Sequence, residues 1–384
     1  MPFEFATAGR IVFGEGAVRE VAPAAAAMGR RALVVTGAHR ERALSLVESL
    51  KAAGVSSVVF AVEGEPSVDL VREGSRFASR AECDLVIAMG GGSAIDAGKA
   101  MAALIPNSGE PLDYLEVVGR GQPLEKTPTP TIAIPTTAGT GSEVTRNAVL
   151  ASHEHRVKAS LRSTAMLPRL AAVDPELTWD LPARITASTG LDALTQLIEP
   201  YVSVRANPMT DLYCVEGMRC AAAALPKVYA DGGDRAARRD MAWASLLGGL
   251  SLANAGLGAV HGFAAPIGGE FLAPHGAVCA ALLPHAMDVN VRALHRRAPE
   301  SDALLRYDEV ARLLTGNPHA VAADGVQWIG DLCRRLEIPP LRAYGVRPDD
   351  FTGLVEKAAK ASSMKANPVV LTTEELTEII ARAT

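Results

Sequence analysis

The sequence predicts an α/β domain built on a parallel sheet over residues 1–178, followed by an all-α domain over residues 179–384. Three observations carry this prediction. At 384 residues the chain exceeds what one ordinary hydrophobic core serves, so two domains are expected. Short β-branched runs alternate with helical patterns as far as Asp174–Leu177. Beyond that point long Ala- and Leu-rich segments take over, and no strand pattern follows.

In the first half, RALVVTG (Arg31–Gly37) reads as a buried strand and leads to a helix over Arg40–Ala53. SSVVFAVE (Ser56–Glu63) is a second strand, after which Ser67 can cap a helix that follows Pro66. DLVIAMGGGS (Asp84–Ser93) is a third strand that runs into glycines, and SAIDAGKAMAALI continues as a helix. The polar, Gly- and Pro-spotted stretch Pro106–Thr127 reads as a surface excursion. TIAIPTTAGTGSE (Thr131–Glu143) is a fourth strand ending in a second Gly/Thr-rich loop. These strands are continuously apolar rather than alternating, the pattern of parallel strands covered on both faces. In the second half, Thr210–Ala230, Arg235–Leu257, Asp308–Gly316, Asp324–Ile338 and Thr373–Thr384 read as helices. The apolar segment Leu246–Val260 is interrupted by Gly248, Gly249, Gly256 and Gly258, which suits a helix pressed tightly against neighbours.

Composition narrows the function classes. Hydrophobic residues make up 48% and charged residues 21%, as in a globular protein rather than a disordered one. A formal net charge of −5 without a basic block gives no reason to expect nucleic acid or an anionic membrane as partner. The N-terminus lacks the basic start and apolar core of a signal peptide, and no run approaches the roughly 20 apolar residues of a membrane span. The five cysteines are scattered without a CxxC pair, so neither a disulfide framework nor a thiolate metal site is expected. Reduced thiols in a cytoplasmic protein are the simplest reading.

The chemistry-bearing residues form two sets. Gly90, Gly91, Gly92 and Ser93 stand between a strand and a helix, where glycines let the backbone approach a pyrophosphate and the helix offers free N–H donors. The loop Pro135–Glu143 again follows a strand, with hydroxyls at Thr136, Thr137 and Thr140. Two such loops from one sheet suggest a dinucleotide. The first strand ends in Gly37, without the acidic residue that selects NAD and with Arg40 nearby, so NADP is also accommodated. In the second set, Asp192 and Gln196 are one helical turn apart and point the same way, while His261 and His275 lie in apolar, Gly-rich surroundings. Each residue also has a plain structural reading. The glycines can form a tight turn, and Asp192 can be a first-turn acid of a helix opened by Thr186–Gly190. Each histidine, His285 included, can be satisfied by a carbonyl. His285 is assigned no role.

The ordered motifs GGGSAIDAGKA, PTTAGTGSEVT, VDPELTWDLP, TGLDALTQLIEPYVS and VHGFAAPIGGEFLAPHGAVCAALLPHAMDVN together resemble the iron-containing (group III) alcohol dehydrogenase family. The likeness runs from GRIVFGEGAVREV to the ANPVVLTTEELTEIIARA tail. It implies a dehydroquinate synthase-like architecture: an α/β nucleotide-binding domain, a helical domain for metal and substrate, and catalysis in the cleft between them. It implies an oxidoreductase that interconverts a small alcohol and its aldehyde or ketone by hydride transfer, with NAD or NADP and a divalent metal, Fe2+ or Zn2+. Gly90, Gly91, Gly92 and Ser93 would hold the pyrophosphate, Thr136 and Thr137 the adenosine or ribose side, and Lys158 would approach the nicotinamide ribose. Gly37, Asp96 and Thr140 complete the implied cofactor set. Asp192, His261 and His275 fall on metal-ligand positions. Gln196 occupies the fourth, where the family usually has histidine, and shares the catalytic role with His261 and His275. A homodimer or larger homo-oligomer is implied as well.

Two further departures stand out. Ala265 replaces a histidine found in many members near the nicotinamide, so proton movement there passes to water, a ribose hydroxyl or another residue. Gly37 replaces the acidic residue of NAD-selecting members. An amide at 196 leaves a site of one carboxylate and three neutral ligands, so a divalent ion keeps a net charge near +1. Its oxygen is a harder and weaker donor than imidazole, which lowers affinity for Fe2+ or Zn2+. Alternatively, Gln196, His261 and His275 bond the substrate oxygen directly. That version resembles the metal-independent maleylacetate reductases, which act on a carboxylated keto substrate. A third reading is a catalytically silent cofactor-binding protein that acts through assembly.

Overall fold

The structure, a computed structural model, describes residues 2–271 and 273–384. Its eight strands are β1 (Ile11–Phe13), β2 (Arg31–Thr36), β3 (Ser56–Ala61), β4 (Leu85–Gly90), β5 (Thr131–Pro135), β6 (Asn147–Ser152), β7 (Val157–Arg162) and β8 (Leu170–Val173). Six form one parallel sheet in the order β1-β8-β5-β4-β2-β3, and β6 and β7 pair separately as an antiparallel hairpin. The four strands legible in the sequence are the four adjacent strands β5-β4-β2-β3. β1 and β8 escape notice because three and four residues are too short to carry a pattern.

Period-two side-chain alternation distributes each strand over two cores. Leu33, Val35, Val86 and Ala88 face one way and pack with Val71, Ile95 and Met101. Ala32, Val34, Leu85 and Ile87 face the other way and pack with Val21, Ala25, Leu46 and Leu50. The covering helices are α1 (Val21–Met28), α2 (Leu44–Ala52), α3 (Val68–Arg80) and α4 (Gly92–Leu104). The Ser67 side chain caps α3 by accepting from the Leu70 N–H at 3.1 Å. α4 lies directly on its strand because Gly98 has no Cβ; one placed there would stand 2.6 Å from the Ala88 Cβ. The excursion Pro106–Thr127 is anchored by a single turn, α5 (Pro111–Tyr114), with Tyr114 and Leu115 buried.

The remaining helices are α6 (Ala183–Val202), α7 (Pro208–Ala230), α8 (Arg235–Ala255), α9 (Ala259–Glu270), α10 (His275–Arg297), α11 (Asp302–Thr315), α12 (Ala322–Arg335), α13 (Phe351–Lys360) and α14 (Thr373–Ala383). α6 packs against α7, α8 and α10. Thr186–Gly190 does not open α6. Ser188 and Thr189 turn their hydroxyls onto the Ile185 carbonyl at 3.1 and 2.8 Å, so they are satisfied inside a helix that starts at Ala183. Asp192 therefore sits in mid-helix, and the first-turn explanation for it falls away. α8 and α9 meet at 98°, with Gly256 between them at φ +75°. Among the described residues no single helix is long and apolar enough to cross a membrane.

The chain divides into two units. One comprises Ala6–Thr137 with Gly141–Trp179. The other comprises Asp180–Thr384 with Ala138–Thr140 and the N-terminal residues through Phe5.

His285 on α10 is held neutral by its surroundings. Burial, helped by the Arg382 guanidinium and opposed by Asp288, pushes it down to about 4. An unfolded histidine titrates near ~6.5, so the stabilising neutral form is fully favoured above that pH and its contribution is lost as pH falls toward 4. The thermal midpoint should fall through this window, and His285→Gln should flatten the fall. Equal pH slopes for the two proteins, followed by scanning fluorimetry, would dismiss His285 as the source.

Candidate functional site

The carboxyl ends of the sheet strands hold the first set. β2 leads to β3 on one side while β4, on its other side, leads to β5, so the chain reverses its course between β2 and β4. Open parallel sheets bind ligands at such a reversal. Gly37 follows β2, Gly90 ends β4, and the Thr136 N–H after β5 donates to the Gly90 carbonyl at 2.9 Å. A Cβ on Gly90 would stand 2.6 Å from the Ala94 Cβ and 3.3 Å from the Gly37 nitrogen. Only glycine lets the two strand ends and the start of α4 approach this closely. Gly91 precedes α4 without a side-chain cap, leaving the opening N–H groups at Gly92 and Ser93 for an outside acceptor. Thr137 stands over Gly91, 3.5 Å from where a Cβ would be.

A cavity of about 170 Å³ opens here, lined by Gly37, His39, Arg42, Met89 and Thr136 among others, with no carboxylate among its lining residues. Arg42 rather than the exposed Arg40 borders it, and one Arg42 amine donates to the Leu177 carbonyl at 2.9 Å. Asp96 and Lys158 have structural partners. Asp96 accepts from the Val149 N–H at 2.9 Å and from the Ser142 hydroxyl, and pairs with the buried Lys99 at 3.0 Å. Lys99 itself donates to the Ser142 carbonyl and the Thr145 hydroxyl, both at 2.9 Å, tying α4 to the second loop. Lys158 on β7 pairs with Glu65 at 3.1 Å. Thr140 belongs to the helical unit, whereas Thr136 and Thr137 belong to the sheet unit.

The helical unit brings Asp192, His261 and His275 together. Asp192 Oδ1 lies 3.4 Å from His261 Nε2 and 3.7 Å from His275 Nε2. Cys279 joins them, its sulfur 3.8 Å from His261 Nε2 and 3.7 Å from His275 Nε2. All four donor atoms lie within 4.8 Å of one another. Gln196 is engaged differently, its Nε2 donating to Asp192 Oδ2 at 3.0 Å. The reverse amide orientation would set one oxygen against another, so the carboxylate fixes which end faces it.

Three helices deliver these groups. α6 carries Asp192, Gln196 and Glu199 along one face, at i, i+4 and i+7. Glu199 then aligns α9: one oxygen accepts from the Val260 N–H at 2.7 Å, and the other from His261 Nδ1 at 2.7 Å. Asn367 completes the cap of α9 by accepting from the Ala259 N–H at 3.1 Å, and is itself held by Asn290. With Nδ1 committed to Glu199, His261 aims Nε2 into the cluster, the arrangement common to metal-bound histidines. α10 starts at His275 and presses against α6; a Cβ on Gly276 would stand 2.4 Å from the Ser188 carbonyl oxygen.

The pocket attracts positive charge. Burial disfavours charge on both imidazoles, yet the Cys279 sulfur and Asp192 outweigh it. His261 is held well above the ordinary histidine value and His275 is pushed up to about 9. Burial would raise Asp192, but the two histidines bring it below the usual carboxylate range. Asp192 Oδ1 and Gln196 Oε1 are buried and have no hydrogen-bond partner among the described residues. Buried polar atoms are almost always satisfied, so an orphaned carboxylate oxygen facing two imidazoles and a thiol fits a cation.

Cys279 and Glu199 belong to this cluster by contact, and the sequence reading passes over both. The signal was present for both: Cys279 follows His275 by one helical turn, and Glu199 follows Asp192 by two.

Residues 8–175 match the family model of iron-containing alcohol dehydrogenase, and residues 186–384 match that of the Fe-containing alcohol dehydrogenase family, C-terminal. Choline dehydrogenase of Bacillus subtilis is 36% identical over 363 residues, covering 93% of this chain and 89% of that protein. The 1,3-propanediol dehydrogenase of Citrobacter freundii is 35% identical over 367 residues, covering 92% of each chain. A crystal structure of 1,3-propanediol oxidoreductase superposes with a TM-score of 0.92 at 33% identity, covering 100% of both chains. A parallel-sheet domain and a helical domain, both matched by these models along nearly their whole length, make the chain a member of the iron-containing alcohol dehydrogenase family.

Proposed function

We propose that this enzyme interconverts a small alcohol and its aldehyde or ketone, using NAD or NADP and a divalent cation, Fe2+ or Zn2+, held by Asp192, His261 and His275. The observation that carries this reading is the orphaned Asp192 oxygen facing two imidazole nitrogens at 3.4 and 3.7 Å. The family is NAD(P)-dependent and acts on CH–OH donors, and the relatives named for 1,3-propanediol support a short-chain alcohol.

The chain's own residues bind, orient and exclude water. The N–H groups at the start of α4 take the pyrophosphate, and Gly90 keeps the backbone low enough for it to approach. Thr136 and Thr137 offer hydroxyls to the adenosine side. A bound nicotinamide supplies the hydride acceptor or donor. A divalent cation in the cluster supplies Lewis acidity toward the substrate oxygen. Glu199 fixes the ring of His261, Gln196 fixes the carboxylate of Asp192, and burial of both keeps them from water. Ala265 offers no titratable group, so the hydroxyl proton leaves through water or a ribose hydroxyl. We further propose a cytoplasmic homo-oligomer. Five free thiols suit a reducing compartment, and sedimentation would give the oligomeric state.

Purified protein should oxidise a panel of short alcohols with NAD+ or NADP+, and lose that activity on chelation. Cofactor binding without turnover of any alcohol, aldehyde or ketone would overturn the reading. The absence of a carboxylate from the cavity beside Gly37 predicts that both cofactors are used. Gly37→Asp should weaken NADPH binding by about 10-fold or more through repulsion of the 2′-phosphate, with NADH binding kept. Equal losses for both cofactors would mean that position 37 does not face the ribose. Glu199→Leu removes the acceptor of His261 Nδ1 and should lower metal affinity by about 10–100-fold in chelator competition. Unchanged affinity would show that this carboxylate does not orient the ring.

A further inference from the structure

We propose that Cys279 supplies the fourth protein donor to the cation, as thiolate, and that Gln196 is a positioning residue outside the coordination sphere. This rests on the metal reading above and assigns its ligand set. Zinc held at about 2.0–2.1 Å by nitrogen or oxygen and about 2.3 Å by sulfur sets tetrahedral donor–donor edges of about 3.3–3.6 Å. The edges here are 3.4 Å for Asp192–His261, 3.7 Å for Asp192–His275, 3.8 Å for Cys279–His261 and 3.7 Å for Cys279–His275. These four of the six edges depart from that range by a few tenths of an ångström at most, and all four donor atoms lie within 4.8 Å of one another.

The surroundings of each donor point the same way. Cys279 is fully buried and lies one turn after His275 on α10, so both side chains leave one face of a rigid helix. The sulfur meets two ring nitrogens and a carboxylate. Elsewhere the half-buried Cys333 donates its thiol to the Ala280 carbonyl at 3.4 Å. The unpartnered Asp192 Oδ1 belongs to the same cluster of donor atoms. Gln196, by contrast, commits its Nε2 to Asp192, and its Oε1 has no hydrogen-bond partner among the described residues. Its Nε2 binds Oδ2, and its Oε1 lies 3.7 Å from the place of a Cβ on Gly248, on the α8 side. The amide thereby holds the carboxylate so that Oδ1 meets the imidazoles.

The swap changes the electrostatics. One carboxylate, one thiolate and two neutral imidazoles cancel the charge of a divalent ion, where an amide ligand would leave it near +1. A soft sulfur donor also moves the preference from Fe2+ toward Zn2+.

Cobalt substitution and zinc absorption spectroscopy test the assignment. Full-length protein stripped of metal and loaded with Co2+ should show a thiolate-to-cobalt charge-transfer band in the near ultraviolet. Cys279→Ser should abolish the band and lower Zn2+ affinity by more than about 100-fold, beyond the usual cost of losing a supporting residue. Gln196→Met should keep the band, with affinity reduced by about 10–100-fold. X-ray absorption at the zinc edge of unmutated protein should show one sulfur scatterer near ~2.3 Å, a readout that needs no variant to fold. Metal bound without the band or the sulfur scatterer overturns the role of Cys279 and leaves the metal site standing. A band that survives in Cys279→Ser also overturns that role. Failure of the unmutated protein to take up Co2+ or Zn2+ overturns both.

Discussion

A carboxylate buried in mid-helix is the constraint around which the helical unit is arranged. Asp192 is 1% exposed, and an ionised acid in such a place is costly unless charge and hydrogen bonds surround it. The chain answers from three helices at once. Gln196 takes one oxygen, while His261 and His275 approach the other. Those imidazoles carry their own requirement, which Glu199 meets for His261. Glu199 in turn is spread between a ring nitrogen and the N-terminus of α9. Asp192 Oδ2, His261 Nδ1 and both Glu199 oxygens are thus satisfied by groups that also need a partner, while Asp192 Oδ1 and Gln196 Oε1 have no hydrogen-bond partner among the described residues.

The sheet unit follows a different logic. Its site is built from what is missing: side chains at Gly37, Gly90 and Gly91, and a side-chain cap on α4. Where the helical unit gathers charge, the sheet unit clears backbone, and the N–H groups at the start of α4 provide the attraction. Lys99 and Asp96 brace this surface from behind, by joining α4 to the second glycine loop.

Much of this was legible in the sequence, for reasons that differ by element. β2, β4 and β5 announce themselves because strands buried on both faces are continuously apolar, and α3 does so through the Ser67 cap. Asp192, Gln196, His261 and His275 were legible as a group through the family resemblance, since spacing alone links only residues within one helix. β1 and β8 are too short to show a period, and the strict alternation of burial in β6 is hidden in the sequence because Val149 and Ala151 on its less buried face are apolar too. The start of α6 was misplaced because Ser188 and Thr189 look like caps until their hydroxyls are seen bonded within the helix. Cys279 gives no signal in the sequence because cysteine sites announce themselves as CxxC pairs, whereas its neighbours here are histidines from two helices.

The cap on α9 has a consequence for how the protein is made. The helix that presents His261 is held at its first N–H groups by Glu199, from well before it in the chain, and by Asn367, from far beyond it. A ribosome delivers Asp192 and both histidines long before it delivers Asn367. The nascent chain therefore carries most of the donor set in an unanchored form. Only when the stretch carrying Asn367 emerges and docks does α9 gain both of its N-terminal restraints.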